Sequence, residues 1–190
     1  MPEPSSEARS RRDARRASNP PREPTPPIEV AVRFLGTRPR TRWEVQRRLR
    51  CAGVELAEID AVLDRLTELG YLDDAAFARW WGEQRDRHGP RGLRMIEAEL
   101  RQHGVPREIV EAYRDEHAAP ERRAEDESLP SSEAARARDA LQRHLRGRPV
   151  PEDAKARQRI GMYLLRRGFD PDVVRATLRS AGDGAGDEVP

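Results

Sequence analysis

The sequence predicts an all-α protein made of three tandem three-helix repeats, which form an elongated, curved array between disordered N- and C-terminal tails. Strand signals are nearly absent, because no run alternates Val, Ile, Thr, Tyr or Phe with polar residues. Ala, Arg, Leu and Glu dominate instead, and all four favour helices. Because only 36% of residues are hydrophobic and 37% are charged, we expect thin helical layers in place of one large core.

The two ends of the chain have compositions that are typical of disorder. Residues 1–27 are rich in Pro, Ser and Arg, and residues 183–190 are rich in Gly and Asp. Such segments cannot bury enough apolar surface to offset the entropy lost on ordering. Between the tails, we predict repeats at 28–72, 73–118 and 131–182, with a polar linker or insertion at 119–130.

The sequence of the first repeat predicts where its helices begin and end. Thr41 and Glu44 have the spacing of a capping box, in which each side chain bonds the other residue's backbone N–H. The helix that follows is predicted to end at Gly53. A further helix is predicted over Leu56–Leu69, ended by Gly70.

One helix–glycine–helix pattern recurs three times, at Gly53, Gly104 and Gly168. Apolar residues stand eight and four positions before each glycine, and one and six positions after it. These are Val45, Leu49, Val54 and Ile59, then Ile96, Leu100, Val105 and Val110, then Ile160, Leu164, Phe169 and Val174. The two leading residues share a helix face, and a glycine takes the left-handed turn that other residues resist. The pattern therefore predicts one structural unit repeated three times.

The overall charge gives little support for nucleic-acid binding by the folded body. The net charge is +2, and residues 1–27 hold six basic and four acidic residues, 6 − 4 = +2. The rest of the chain is therefore neutral, 2 − 2 = 0. A pI near 9.1 alone would suggest a nucleic-acid partner.

Membrane and secretion signals are absent from the sequence pattern. No stretch approaches the roughly 18 consecutive apolar residues of a membrane span, and no secretory signal precedes the repeats. The single cysteine, Cys51, cannot form an internal disulfide. These features predict a cytoplasmic protein, with Cys51 as a buried or half-buried structural thiol.

No arrangement of residues predicts catalysis, a cofactor or a metal. The adjacent carboxylates of Asp73 and Asp74 are interpreted as helix caps, because neighbours at a helix start point to different sides. The four histidines lack metal-ligand spacing and are predicted at the surface: His88, His103, His117 and His144. There is no P-loop, dinucleotide fingerprint or nucleophile elbow, and the Gly89–Gly92 segment is interpreted as a turn. We predict that the protein is not an enzyme.

An aromatic pair marks the first helix of the second repeat. Trp81 lies four positions after Phe77 and is expected to pack in the core. Trp80 points elsewhere on the helix, which makes it a candidate for a partly exposed anchor.

Three motifs resemble those of the RecX proteins, regulators of the bacterial recombinase RecA. In the first repeat of this chain, the family's motif is matched by Arg38-x-x-Thr41-x-x-Glu44-Val45-x-x-x-Leu49-x-x-x-Gly53, which resembles it. The family's most distinctive segment is similar to Gly70-Tyr71-Leu72-Asp73-Asp74-x-x-Phe77-Ala78, and its third-repeat ending to Leu164-x-x-Arg167-Gly168-Phe169. The resemblance spans about residues 28 to 181.

The resemblance implies a crescent of three repeats that binds the RecA–DNA filament, blocks subunit addition and lowers ATPase and strand-exchange activity. It implies a regulator of DNA repair and recombination with no catalytic residues and no cofactor. The expected partners are the RecA filament and single-stranded DNA, the latter contacted weakly or through the filament. We expect a monomer that does not bind membranes.

The contact residues are predicted from the repeats themselves, as outward arginines on the second helix of each. These are Arg47, Arg48, Arg94, Arg101, Arg166 and Arg167. An ordinary solvated face explains the same residues equally well. Two other functions remain open at this stage: a stand-alone helical nucleic-acid-binding protein, and a helical adaptor for another assembly.

Overall fold

The computed structural model describes residues 25–118 and 132–183, and every regular element in these two ranges is an α-helix. The helices are α1 (Pro27–Leu35), α2 (Arg42–Cys51), α3 (Leu56–Glu68), α4 (Asp74–His88), α5 (Leu93–Gln102), α6 (Arg107–Ala118), α7 (Glu133–Leu145), α8 (Ala154–Arg166) and α9 (Pro171–Asp183). The predicted tails and linker fall mainly on residues 1–24, 119–131 and 184–190, which lie outside the described residues.

The helices pack in consecutive groups of three, and each group has its own core. Helices α1–α3 bury a cluster around Leu49 and Ile59, α4–α6 one around Phe77 and Leu100, and α7–α9 one around Phe169. The prediction of an all-α chain of three three-helix repeats is therefore confirmed. Contacts between repeats join the first to the second and the second to the third.

The threefold glycine pattern forms the same helix ending three times. The φ angles of Gly53, Gly104 and Gly168 are 80°, 73° and 85°. After each glycine, the next backbone N–H donates to the carbonyl five residues back; these bonds are Val54 to Leu49 at 3.2 Å, Val105 to Leu100 at 3.1 Å and Phe169 to Leu164 at 3.4 Å. This is the Schellman motif. Of the apolar residues in the pattern, all are buried except Val54, which is half-buried.

Local capping also follows the sequence. The Thr41 hydroxyl accepts from the Glu44 N–H at 3.1 Å, and the Glu44 carboxylate accepts from the Thr41 N–H at 3.2 Å, so the capping box is present. Helix α3 is followed by Gly70 at φ 74°. Helix α9 begins at Pro171, whose fixed φ suits the first helical position.

Candidate partner-binding surface

The second helices of the three repeats adjoin end to end. Thr41, the N-cap of α2, donates from its hydroxyl to the carbonyl of His103, the C-cap of α5, at 2.6 Å. Gly92, the N-cap of α5, donates its backbone N–H to the carbonyl of Arg167, the C-cap of α8, at 3.0 Å. At both junctions the positive end of one helix dipole therefore meets the negative end of the next.

Glycines allow this close approach of backbones. A Cβ on Gly104 would lie 2.4 Å from the side chain of Trp43 in the preceding repeat, and a Cβ on Gly168 would lie 2.7 Å from Met95. A Cβ on Gly92 would lie 2.2 Å from the carbonyl of Gly168. The Gly89–Gly92 segment is thus part of the second junction, and its interpretation as only a turn was incomplete.

A carboxylate at the first position of the next repeat caps the second helix at each junction. Asp74, which begins α4, accepts from the backbone N–H of Arg42 at 2.9 Å, and Glu133, which begins α7, accepts from that of Leu93 at 3.1 Å. Asp73 caps its own helix through the N–H of Ala76, as interpreted from the sequence, whereas Asp74 caps α2 of the preceding repeat instead of its own helix. Burial raises the pKa of both Asp74 and Glu133, and their backbone hydrogen bonds partly oppose that rise.

An ion pair between a buried arginine and a half-buried aspartate adds to the second junction. The Arg136 side chain is 2% exposed, and its Nε lies 2.8 Å from Asp86 Oδ1. Its Nη2 donates to the Tyr113 hydroxyl at 3.0 Å. Gly82 makes room for that hydroxyl, because a Cβ there would lie 2.1 Å from it. Burial also raises the pKa of the Asp86 carboxyl, while Arg136 lowers it.

Glu99 of α5 accepts hydrogen bonds from side chains of its own repeat. Its carboxylate is nearly buried and accepts from Trp81 Nε1 and Arg85 Nε, each at 2.7 Å, and from Arg91. Trp81 packs against the second-repeat core, as predicted. Trp80 is half-buried and packs against the same core.

The prediction of four surface histidines was wrong for two of them. His117 is 1% exposed and stacks on Tyr113, with ring centroids 3.9 Å apart. His103 is half-buried between Trp81 and Glu44, which its Nδ1 approaches at 3.2 Å. The spacing of the histidines in the sequence argued against a metal-binding pair. It could not show that two of the rings pack on aromatic side chains. Within residues 25–118 and 132–183, no group of three or more His, Cys, Asp or Glu could hold a metal ion.

Cys51 is exposed, so its prediction as a buried or half-buried thiol was wrong. The core-facing residue nearest to it is Leu49, and two helical positions rotate a side chain by about 200°, to the opposite face. Cys51 instead lines a pocket of about 280 Å³ with Phe34, Trp43, Glu44, Arg47 and Arg48. The Trp43 side chain is 42% exposed there.

Five of the six predicted contact arginines are exposed: Arg47, Arg48, Arg94, Arg101 and Arg166. Arg47 lies 5.5 Å from the Trp43 ring centroid, and Arg101 pairs with Glu97 at 2.6 Å. In the described part of the chain, the other three form no ion pair or side-chain hydrogen bond. Within the described ranges, each repeat therefore places at least one exposed guanidinium without an ion pair on its second helix.

Arg167 has a different environment. Its guanidinium donates to the carbonyl of Pro90 at 3.1 Å and lies 4.9 Å from the Tyr163 ring centroid. The side chain is half-buried and holds the second and third repeats together. The structure thus separates this residue from the five outward arginines.

None of the helices in the described ranges is both long enough and apolar enough to cross a membrane.

Comparisons with known proteins match all three repeats. Residues 28–66, 73–113 and 131–178 match the first, second and third three-helix domains of RecX. The regulatory protein RecX of Thermobifida fusca (strain YX) is 36% identical over 163 residues, which cover 84% of this chain and 80% of that protein. The regulatory protein RecX of Prosthecochloris aestuarii (strain DSM 271 / SK 413) is 33% identical over 151 residues, covering 80% and 90%.

A solved structure has a similar fold. The crystal structure of RecX from Lactobacillus salivarius superposes with a TM-score of 0.67 at 17% identity, covering 83% of this chain and 96% of that one. The resemblance of the three motifs is confirmed by these matches, and the chain belongs to the RecX family.

Proposed function

We propose that this protein regulates the bacterial recombinase RecA by binding the RecA–DNA filament and lowering its ATPase and strand-exchange activity. It does so as a cytoplasmic monomer, by occupying the filament, with no catalytic step or cofactor of its own. Membership of a family whose relatives are named regulatory proteins supports this proposal.

The observation that carries the proposal is the end-to-end arrangement of α2, α5 and α8. A linear array presents equivalent elements at successive positions, which suits a partner that is itself a series of identical subunits. When several weak contacts act together on one chain, the effective concentration of each later contact is raised.

The five outward arginines provide the contacts in this proposal. Arg48, Arg94 and Arg166 have no internal ion pair, so an acidic partner surface does not have to displace one. Arg47 and the exposed Trp43 extend the contact on the first repeat, and Arg101 extends it on the second. Arg167 positions the third repeat through the Pro90 carbonyl.

The test is single-stranded-DNA-dependent ATP hydrolysis by the RecA of the same organism, with this protein added below equimolar amounts. We expect ATP hydrolysis to fall at ratios well below one protein per RecA subunit, because one array covers several subunits. If folded, helical protein has no effect even at equimolar ratio, the proposal is wrong.

A further inference from the structure

The first repeat contains a small pocket beside its junction with the second repeat, which we call the first-repeat pocket. Its volume is about 280 Å³, and its aromatic lining is Phe34 of α1 and Trp43 of α2. Four further residues of α2 line it: Glu44, Arg47, Arg48 and Cys51. Pockets that hold a whole small ligand span roughly 300–1,000 Å³. This pocket is therefore sized for one large side chain of a partner.

The exposed part of the Trp43 ring is not required by the repeat architecture. Its Cβ and Cγ atoms pack on the next repeat, where a Cβ on Gly104 would lie 2.4 Å from both. At the second junction, the narrower side chain of Met95 makes the corresponding contact with Gly168. A methionine is thus enough for a junction, yet Trp43 is 42% exposed. Tryptophans with this exposure are enriched where proteins bind each other.

The pocket is positively charged although Glu44 lines it. That carboxylate is engaged inside the fold, because it accepts from Arg38 Nη2 at 2.6 Å and from the Thr41 N–H at 3.2 Å. In the part of the chain that the structure describes, Arg47 and Arg48 have no ion pair. Their guanidiniums are therefore available to carboxylates from outside the chain.

This lining favours an acidic peptide segment with one large apolar side chain. Aromatic walls favour an apolar group because both lose contact with water. Guanidiniums bind carboxylates through two parallel hydrogen bonds. The pocket is also specific to the first repeat, since the residues ten positions before the repeat glycine are Trp43, Arg94 and Gln158 in turn.

We propose that the first-repeat pocket binds an acidic segment of the partner recombinase, with a large apolar side chain against Trp43 and neighbouring carboxylates on Arg47 and Arg48. This inference rests on the proposed function and deepens it, because it names the chemistry of the segment that the first repeat takes. The contact involves one peptide segment, so it requires neither DNA nor an assembled filament.

The test measures fluorescence anisotropy of the labelled peptide Gly-Asp-Glu-Asp-Phe-Gly-Glu, titrated with the full chain in the absence of RecA and DNA. One comparison peptide has alanine in place of phenylalanine, and another has amides in place of the acidic side chains. We expect each comparison peptide to bind about tenfold more weakly or worse, because each lacks one half of the contact. Added salt should weaken binding of the acidic probe.

Two variants remove the two halves of the site. Trp43→Met keeps an apolar junction contact of the kind that Met95 makes, and it should lower the affinity for the probe by about tenfold or more. R47E/R48E should lower it at least as much, because it replaces attraction by repulsion. Circular dichroism checks that both variants keep their helices.

The matched charge control is R79E/R138E, which reverses two exposed arginines on α4 and α7. These two also have no ion pair within the described residues, so the change in net charge is the same. We expect this control to retain most of the affinity. Cys51, the only cysteine of the sequence, is exposed and lines the pocket. A bulky maleimide on it should block the probe, whereas C51S treated with the same reagent should bind as wild type does.

Equal binding of the three peptides, or unchanged affinity in both W43M and R47E/R48E, would overturn the proposal. So would displacement of the probe by oligothymidylate, or a dimer in sedimentation velocity that both variants abolish, which would assign the pocket to a second copy. Absence of probe binding overturns it even if RecA hydrolyses less ATP in the presence of this protein. Specific probe binding without any effect on hydrolysis would support the pocket and contradict the proposed function alone.

Discussion

The hydroxyl of Thr41 donates a hydrogen bond to the main-chain carbonyl of His103, 2.6 Å away and 62 residues later in the sequence. The same oxygen accepts from the N–H of Glu44, which begins the capping box of α2. One fully buried threonine thus starts its own helix and attaches it to the end of the second helix of the next repeat. At the other junction, the backbone N–H of Gly92 forms the corresponding contact with Arg167.

Thr41→Val is expected to lower the free energy of unfolding by about 2 kcal/mol. About 1 kcal/mol comes from the lost N-cap and about 1 kcal/mol from the lost hydrogen bond to His103. Urea unfolding followed by circular dichroism measures the change. Ser132→Ala is the control, because Ser132 caps α7 through the N–H of Ala135, and it should cost only the cap term of about 1 kcal/mol. Equal losses in the two variants would contradict a role for Thr41 in the junction.

Gly82→Ala is expected to destabilise the protein by about 1–3 kcal/mol, the usual cost of overpacking. The added methyl group would lie 2.1 Å from the Tyr113 hydroxyl, which accepts a hydrogen bond from Arg136. Gly161→Ala is the matched control, since Gly161 is also buried in a helix but its nearest neighbour would be Leu178 Cδ1 at 3.6 Å. That change should stabilise the protein by about 0.5–1 kcal/mol through helix propensity. Thermal unfolding of the two variants should therefore shift in opposite directions.

Within a repeat, the sequence was sufficient to predict where the second helix ends and which apolar residues pack around that ending. The glycine columns work because a left-handed C′ residue and an apolar contact are both local requirements. Between repeats it was not sufficient. The bond from the Arg42 N–H to Asp74 spans 32 residues and that from the Leu93 N–H to Glu133 spans 40, and in the sequence both acids resemble ordinary first-turn carboxylates.

In the candidate site, too, the sequence predicted the features that depend on one helix and missed those that depend on contacts between repeats. The exposed arginines of α2, α5 and α8 follow from helical periodicity, because residues off the apolar stripe face solvent. Arg167 follows the same periodicity, but its guanidinium reaches Pro90, 77 residues earlier, and that contact belongs to the tertiary structure. Residues 131–182 contain twelve basic and six acidic residues, so counting charge per repeat instead of over the whole body would have shown that the third repeat is basic.

Glu133→Gln is expected to change how stability depends on pH. Burial is the main cause that raises the pKa of Glu133 in the folded chain above its ordinary value of about 4.3. The folded state therefore binds this proton more tightly than the unfolded state. Protonation of Glu133 therefore contributes to the free energy of unfolding. This contribution grows as the pH falls through the raised pKa and is lost as the pH rises through it.

The measurement is the difference in unfolding free energy between wild type and E133Q from about pH 4.3 upward. The glutamine oxygen can still accept from Leu93 and Asp170, so the difference isolates the charge. We expect the unfolding free energy of the wild type minus that of E133Q to decrease as the pH rises over this window. Glu58→Gln is the control for loss of an exposed glutamate in a first helical turn. A difference for E133Q that stays constant with pH would refute the linkage.

Arg136→Met is expected to cost about 3–5 kcal/mol, because it leaves the Asp86 carboxylate unpaired at a buried junction. Without the arginine, the pKa of Asp86 should rise further, since Arg136 is what lowers it. The double variant R136M/D86L should recover most of the loss, because apolar pairs often replace buried ion pairs at little cost. A double variant as unstable as the single one would show that the arginine acts by its packing alone.

Reversal of Arg48, Arg94 and Arg166 to glutamate tests the contact surface itself. Each is an exposed, unpaired arginine on the second helix of its repeat, so R48E/R94E/R166E removes one contact per repeat and introduces repulsion. Affinity for the assembled RecA–DNA filament should fall by about tenfold or more, because each contact is worth up to about 1 kcal/mol at an exposed site. Co-sedimentation with the filament measures it. R33E/R79E/R138E changes the net charge equally but from the first helices, and it should bind the filament nearly as wild type does. If the two triple variants lose affinity alike, overall charge determines binding, and the end-to-end line of second helices is not the contact surface.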